Sequence, residues 1–135
     1  MAVQLSVTVR NARLDAIETA IGTDAILKIR TGAAPANCAA ADSGTVLATL
    51  TLPSDWMAAA SSGSKALTGT WQDASADAGG TAAHFRIYES TATTCHIQGT
   101  ITATGGGGDM ELTNTTLVAT EPLDITTFTL TDANA

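Results

Sequence analysis

Aromatic residues are scarce in this 135-residue chain: two Trp, two Phe and one Tyr, 4% of the sequence. Its core must therefore be built largely from small apolar pieces. Basic residues are scarcer than acidic ones, six Lys and Arg against 13 Asp and Glu, for a formal net charge of -7. After Arg86 there is no Lys or Arg at all. That balance excludes a nucleic-acid-binding protein, which needs clustered cations for phosphate contacts, and it excludes a polybasic membrane anchor. No apolar run approaches the roughly 18 to 20 residues of a membrane span. The opening residues 1–10, MAVQLSVTVR, lack the basic first segment and long apolar stretch of a signal peptide, so synthesis in the cytoplasm is expected.

Chemical motifs are equally thin. There are two Cys and two His, with no CxxC, no GxSxG and no metal-ligand spacing. Without a secretion signal, Cys38 and Cys95 are expected as two free thiols, Cys38 in a loop and Cys95 on the apolar face of a strand. His84 and His96 fall on the polar parity of adjoining strands, away from any Ser or Cys they would activate. The paired carboxylates, Asp73 with Asp77 and Asp109 with Glu111, sit at loop margins as solubilising charges. Gly105 to Gly108 is no phosphate loop: no Lys-Ser or Lys-Thr follows, and Asp109 would repel a phosphate. A flexible hairpin explains the glycines better. No catalytic residue, no enzyme activity, no cofactor and no metal are expected.

What is abundant is Ala and Thr, 26 and 24 residues. Between residues 6 and 21, apolar residues recur at helical spacing, with Ser6 placed as N-cap and Gly22 as the residue that ends the helix. Its charges, Arg10, Arg13, Asp15 and Glu18, read as a solvated face. From residue 23 the pattern changes to period two, with Thr suited to strand geometry. Strands are predicted at 25–31, 45–52, 66–72, 83–89, 94–103, 110–118 and 123–131.

In the strand at 94–103, Cys95, Ile97, Ile101 and Ala103 share one parity. In 83–89, Phe85 and Ile87 oppose a wet set, His84, Arg86 and Tyr88. Burying both apolar sets together requires pairings of even sum, such as 87 with 97, and an odd-length loop within 90–94. A bulge near Thr126 and Thr127 would restore one buried face to the last strand. The fold class expected is mainly β: an antiparallel β-sandwich or jelly roll of seven or eight strands with one N-terminal α-helix. Residues 1–22 form the helical segment and 23–135 the sandwich, in a single domain.

Two long connections, 32–44 and 53–65, are the irregular parts, and loops of this length are functional, mobile or partner-ordered. Trp71 reads as core, and Trp56 as either an edge closure or an anchor. The candidate protein-interface residues are Arg10, Arg13, Leu14, Ile17, Ile21, Trp56 and Met57.

Four segments carry a resemblance: NARLDAIETAIG at 11–22, LPSDWMA at 52–58, HFRIY at 84–88 and GGGGDM at 105–110. Over nearly the whole chain the sequence resembles small structural proteins of tailed bacteriophages and prophages, and is most similar to head-decoration, or cement, proteins. The resemblance implies a jelly roll that clamps neighbouring major capsid protein subunits on the capsid exterior of the virion, as a homo-dimer or homo-trimer, with no nucleic acid or membrane as partner. A tail or head-to-tail connector component is the second reading. A carbohydrate- or receptor-binding β module, with Trp56 and Tyr88 at the ligand, is the third.

Overall fold

The computed structural model describes residues 2–134, so Met1 and Ala135, the outer ends of the two expected segments, lie outside it. It is mainly β, with one N-terminal helix and a curled, antiparallel-rich sheet. Helix α1 (Val7–Ile21) starts where the cap chemistry places it: the Ser6 hydroxyl accepts the Val9 N–H at 3.3 Å. It stops at Gly22, whose φ of 89° is cheap only for glycine and whose N–H donates to Glu18 O.

The strands are β1 (Ile26–Arg30), β2 (Val46–Thr51), β3 (Ser64–Ala66), β4 (Trp71–Asp73), β5 (Gly80–Thr81), β6 (His84–Tyr88), β7 (Cys95–Ala103), β8 (Met110–Leu112), β9 (Thr116–Leu117), β10 (Leu123–Ile125) and β11 (Thr129–Thr131). There are thus eleven among the described residues rather than seven or eight. The difference arises because three of the seven expected strands each break in two and because β5 forms in a stretch where no strand is expected. The stretch 66–72 breaks where Leu67 and Thr68 turn their N–H groups to Phe128 O and Trp56 O. In 110–118 the Asn114 side chain takes the Thr116 N–H at 3.0 Å, a local turn that competes with the ladder. The last strand does not bulge at Thr126 and Thr127 but separates, β10 pairing β4 and β11 pairing β3. Leu123, Ile125 and Phe128 still all reach the core.

The main sheet has the order β2-β1-β6-β7-β8. Its inner face carries Leu27, Ile29, Leu50, Phe85 and Ile87, paired across strands and buried. Ile87 lies opposite Ile97, as the parity argument required. One step later the register slips: Tyr88 faces Cys95, so a bulge absorbs His96 and the loop 89–94 has six residues, not an odd number. Glu89 closes that loop. Its carboxylate accepts from the Thr91 hydroxyl and the Thr93 and Thr94 N–H groups, which hold its pKa down to about 2.

The expectation of a core of small pieces also needs correction. Four of the five aromatics form one chain through the interior, with ring centroids 6.0 Å apart from Trp56 to Trp71, 5.6 Å to Phe128 and 5.5 Å on to Phe85. Both indoles are satisfied: Trp56 Nε1 donates to Gly22 O, and Trp71 Nε1 to Trp56 O.

The glycine run is no hairpin. β7 and β8 are parallel, Ile101 opposite Met110, although only residues 104–109 connect them. Parallel neighbours ordinarily need a crossover of a dozen residues or more. Here the chain curls flat against its own strand: Gly108 N–H reaches the Thr102 hydroxyl, and the Asp109 carboxylate takes the Thr100 N–H. The Glu111 carboxylate accepts the N–H groups of Gly105 and Gly107, filling with an internal anion the cradle that a phosphate would need.

Candidate functional site

Two surfaces follow from this fold, one around helix α1 and one over the outer face of the main sheet. The helix is attached by its charged side, the reverse of the solvated face expected for it. Asp15 and Glu18 meet the buried Lys65 Nζ at 2.7 and 3.0 Å. They also take backbone N–H groups from the 53–65 connection, Asp15 from Ala60 and Glu18 from Trp56 and Met57. Arg10 donates to Asp132 O at 3.0 Å, Arg13 pairs with the Asp132 carboxylate at 3.3 Å, and Asn11 accepts the Gly63 N–H.

Of the seven candidate interface residues, Leu14, Ile21, Trp56 and Met57 are buried within the chain, and Ile17 is partly buried against the core. These five serve helix docking rather than an outer surface. Arg10 is half-buried, and Arg13 alone presents most of its side chain to solvent. Exposure lies elsewhere on the same end. Among the described residues the exposed large hydrophobics are Val3 (83%), Val7, Val9 and Val118, and three of these belong to the N-terminal arm and first helical turn. The arm is tied to the C-terminal end through the Leu5 N–H, which donates to Asn134 at 2.9 Å. The helical periodicity mixes two faces, so it does not separate Leu14 and Ile21 from Val9, Ala12 and Ala16; the first two are buried and the rest exposed.

Along β6 the outer face of the main sheet is not wet. His84, Arg86 and Tyr88 are all buried, because the connection between β1 and β2 folds back over them. Arg86, 1% exposed, organises that layer. Its guanidinium donates to the carbonyls of Asn37, Cys38 and Ala40, to Gln98 and to the Asp42 carboxylate. Arg30 reaches Asp42 at 2.8 Å, and the Tyr88 hydroxyl donates to Asp42 at 2.6 Å. His84 Nδ1–H donates to Gly32 O at 2.7 Å. Burial alone would raise the Asp42 pKa, but the hydrogen bonds from Tyr88 and Arg86 and the two cations outweigh it and lower it. Tyr88 is pushed up, first by burial and then by its bond to Asp42.

Under the same loop Cys38 and Cys95 come together, sulfur to sulfur, at 3.0 Å. Both are unbridged thiols. Cys95 was expected on the core face with Ile97. The bulge at His96 turns it to the face of its new partner Tyr88, toward the loop.

Other chemistry is sparse. His96 lies 3.5 Å from Glu89 on the surface, and His84, on the loop side of β6, is engaged through Nδ1 with Gly32 O. Among the described residues no group of three or more His, Cys, Asp and Glu is placed to hold a metal ion. No described helix is long and apolar enough to cross a membrane. A cleft of about 410 Å³ beside β8 is lined by Glu111, Glu121 and Asp124 among threonines, without an aromatic platform. Trp56 and Tyr88, the ligand contacts of a carbohydrate module, are buried and offer no face to a sugar. No protein-family model, curated protein or solved structure matches the chain.

Proposed function

We propose that this protein is a structural component of a tailed-phage virion, a capsid decoration protein that clamps neighbouring major capsid protein subunits on the head exterior. The observation that carries the reading is the N-terminal end. Helix α1 is fixed from its inner side by ion pairs and backbone hydrogen bonds, while the arm and outer turn leave Val3, Val7 and Val9 bare. A rigidly mounted apolar edge suits docking onto another protein, since its burial stabilises the complex without a large ordering cost. In this reading the curled sheet and its strand ribbons are the two sides of a cement-type jelly roll, and the chain self-associates as a dimer or trimer over the lattice. Stabilisation is then multiplied by copy number.

The test is binding to purified capsids that lack the protein, followed by quantitative gel analysis and cryo-EM. Decoration predicts occupancy in proportion to the capsid subunits and loss of binding in Val3→Asp and Val7→Asp. Density confined to a single ring at the portal or tail would instead assign the connector role. Absence from the particle would overturn both.

A further inference from the structure

Cys38 and Cys95 are 57 residues apart in sequence, yet their sulfurs lie only about 1 Å beyond the length of a sulfur–sulfur bond. Two separate devices bring them there. Cys95 is delivered by the bulge at His96, which turns it from the core to the loop side of β7. Cys38 is delivered by Arg86, which holds the Cys38 carbonyl at 3.0 Å together with those of Asn37 and Ala40. Neither device is needed for the apolar core, and Cys95 takes no part in the cluster of residues that forms it.

We propose that Cys38 and Cys95 are a reversible disulfide site that fastens the loop between β1 and β2 to the outer face of the main sheet. The inference does not rest on the virion reading. It requires only that the protein meet a small-molecule disulfide, such as oxidised glutathione, as oxidant. Cys38, partly exposed, attacks first as its thiolate, forms a mixed disulfide and expels one glutathione thiolate. Cys95 then loses its proton to solvent and attacks the Cys38 sulfur, expelling the second. Two protein thiols and one glutathione disulfide become one protein disulfide and two glutathione thiols, so atoms and electrons balance. Burial, with Cys38 beside it, pushes the Cys95 thiol up to about 12, which makes the second step the slower.

Stabilisation is mutual. A loop already held by Arg86 raises the effective concentration of one sulfur at the other, and by linkage the bond strengthens the hold on the loop.

The experiment equilibrates the folded full-length protein in glutathione redox buffers and follows it by intact mass and non-reducing peptide mapping. The expected product has lost two hydrogens, carries no glutathione, yields a Cys38–Cys95 cross-linked peptide and reverts with dithiothreitol. Its oxidised-to-reduced ratio should be roughly tenfold or more above that of the same chain in denaturant. Cys95→Ser should stop at one glutathione on Cys38, whereas Cys38→Ser should leave the buried Cys95 unmodified. Thiols that stay reduced when folded, glutathione adducts as the end product, or a folded ratio no higher than the denatured one would overturn the proposal.

Discussion

Lys65 stands between Asp15 and Glu18, its Nζ 2.7 Å from one carboxylate and 3.0 Å from the other, with its side chain 3% exposed. Each carboxylate has also gathered backbone N–H groups from the 53–65 connection. One cation thus allows two anions to sit together where helix, loop and β3 meet. Lys65→Met keeps the stem and removes the charge, leaving two carboxylates facing each other. The variant should lose about 1 to 2 kcal/mol of stability in urea denaturation, since the largely covered Glu18 and the half-exposed, water-screened Asp15 both lose their buried cation. Hydrogen exchange should rise first in α1. Uniform loss of protection would count against a local docking role.

The same cluster fixes a pH dependence. The Lys65 hydrogen bond, then the Ala60 N–H, hold the Asp15 pKa below its usual value. Burial would lower the Lys65 pKa, but Asp15 and Glu18 outweigh it and raise it. A lowered carboxylate contributes stability that is present above its unfolded pKa and lost as pH falls through the folded one. A raised lysine contributes stability that is present below its unfolded pKa and lost as pH rises through the folded one. The stability difference between the parent and Lys65→Met should therefore be flat from about pH 5 to 9 and shrink on both sides. Thermal melts inside that range and beyond both of its ends check it, and a difference that grows toward acid would reverse the assignment.

How much of this was legible in the sequence depends on whether the controlling interaction is local. Ser6 and Gly22 act within one turn of the helix they bound, and the chain states them openly. The pairing of Ile87 with Ile97 follows from parity, because a slip would put both on the wrong face. The bulge one residue later has no composition signal, and it moves Cys95 to the other face. The burial of His84, Arg86 and Tyr88 is invisible for a related reason. Alternation separates two faces of a strand without saying whether the polar one meets water or another layer. Here it meets carbonyls from a loop more than forty residues away. The docking role of the α1 charges is hidden likewise, since Lys65 lies 50 residues from Asp15.

The parallel return between β7 and β8 depends on missing Cβ atoms. A Cβ on Gly106 would lie 2.7 Å from the Thr102 Cβ, and one on Gly108 would lie 2.8 Å from the Thr102 N. Gly107, between them, has open space and only a positive φ of 81°. Gly106→Ala and Gly108→Ala should each cost about 2 to 3 kcal/mol as overpacking, whereas Gly107→Ala should cost about 1 kcal/mol as backbone strain. Chemical denaturation of the three variants decides it. Equal losses would mean that close approach to Thr102 is not what the run provides.

Arg86→Met tests the outer layer. The substitution fills much of the same volume but leaves the carbonyls of Asn37, Cys38 and Ala40 without their donor and Asp42 without one of its two cations. Buried acceptors without donors and a carboxylate short of a partner favour hydration, so the loop should lift from the sheet at a cost of about 3 kcal/mol. The inner face, with Leu27, Ile29, Phe85 and Ile87, does not touch this layer and should stay folded. Limited proteolysis should then cut within residues 32–44 before anywhere else. Tyr88 supplies a spectroscopic check, because it is the chain's one tyrosine and its hydroxyl is held under the loop against Asp42. Its pKa is raised in the parent, and lifting the loop would return it toward about 10. Ultraviolet titration should therefore show tyrosinate forming at lower pH in Arg86→Met than in the parent. An unchanged Tyr88 titration would mean that Arg86 is not what holds the loop in place.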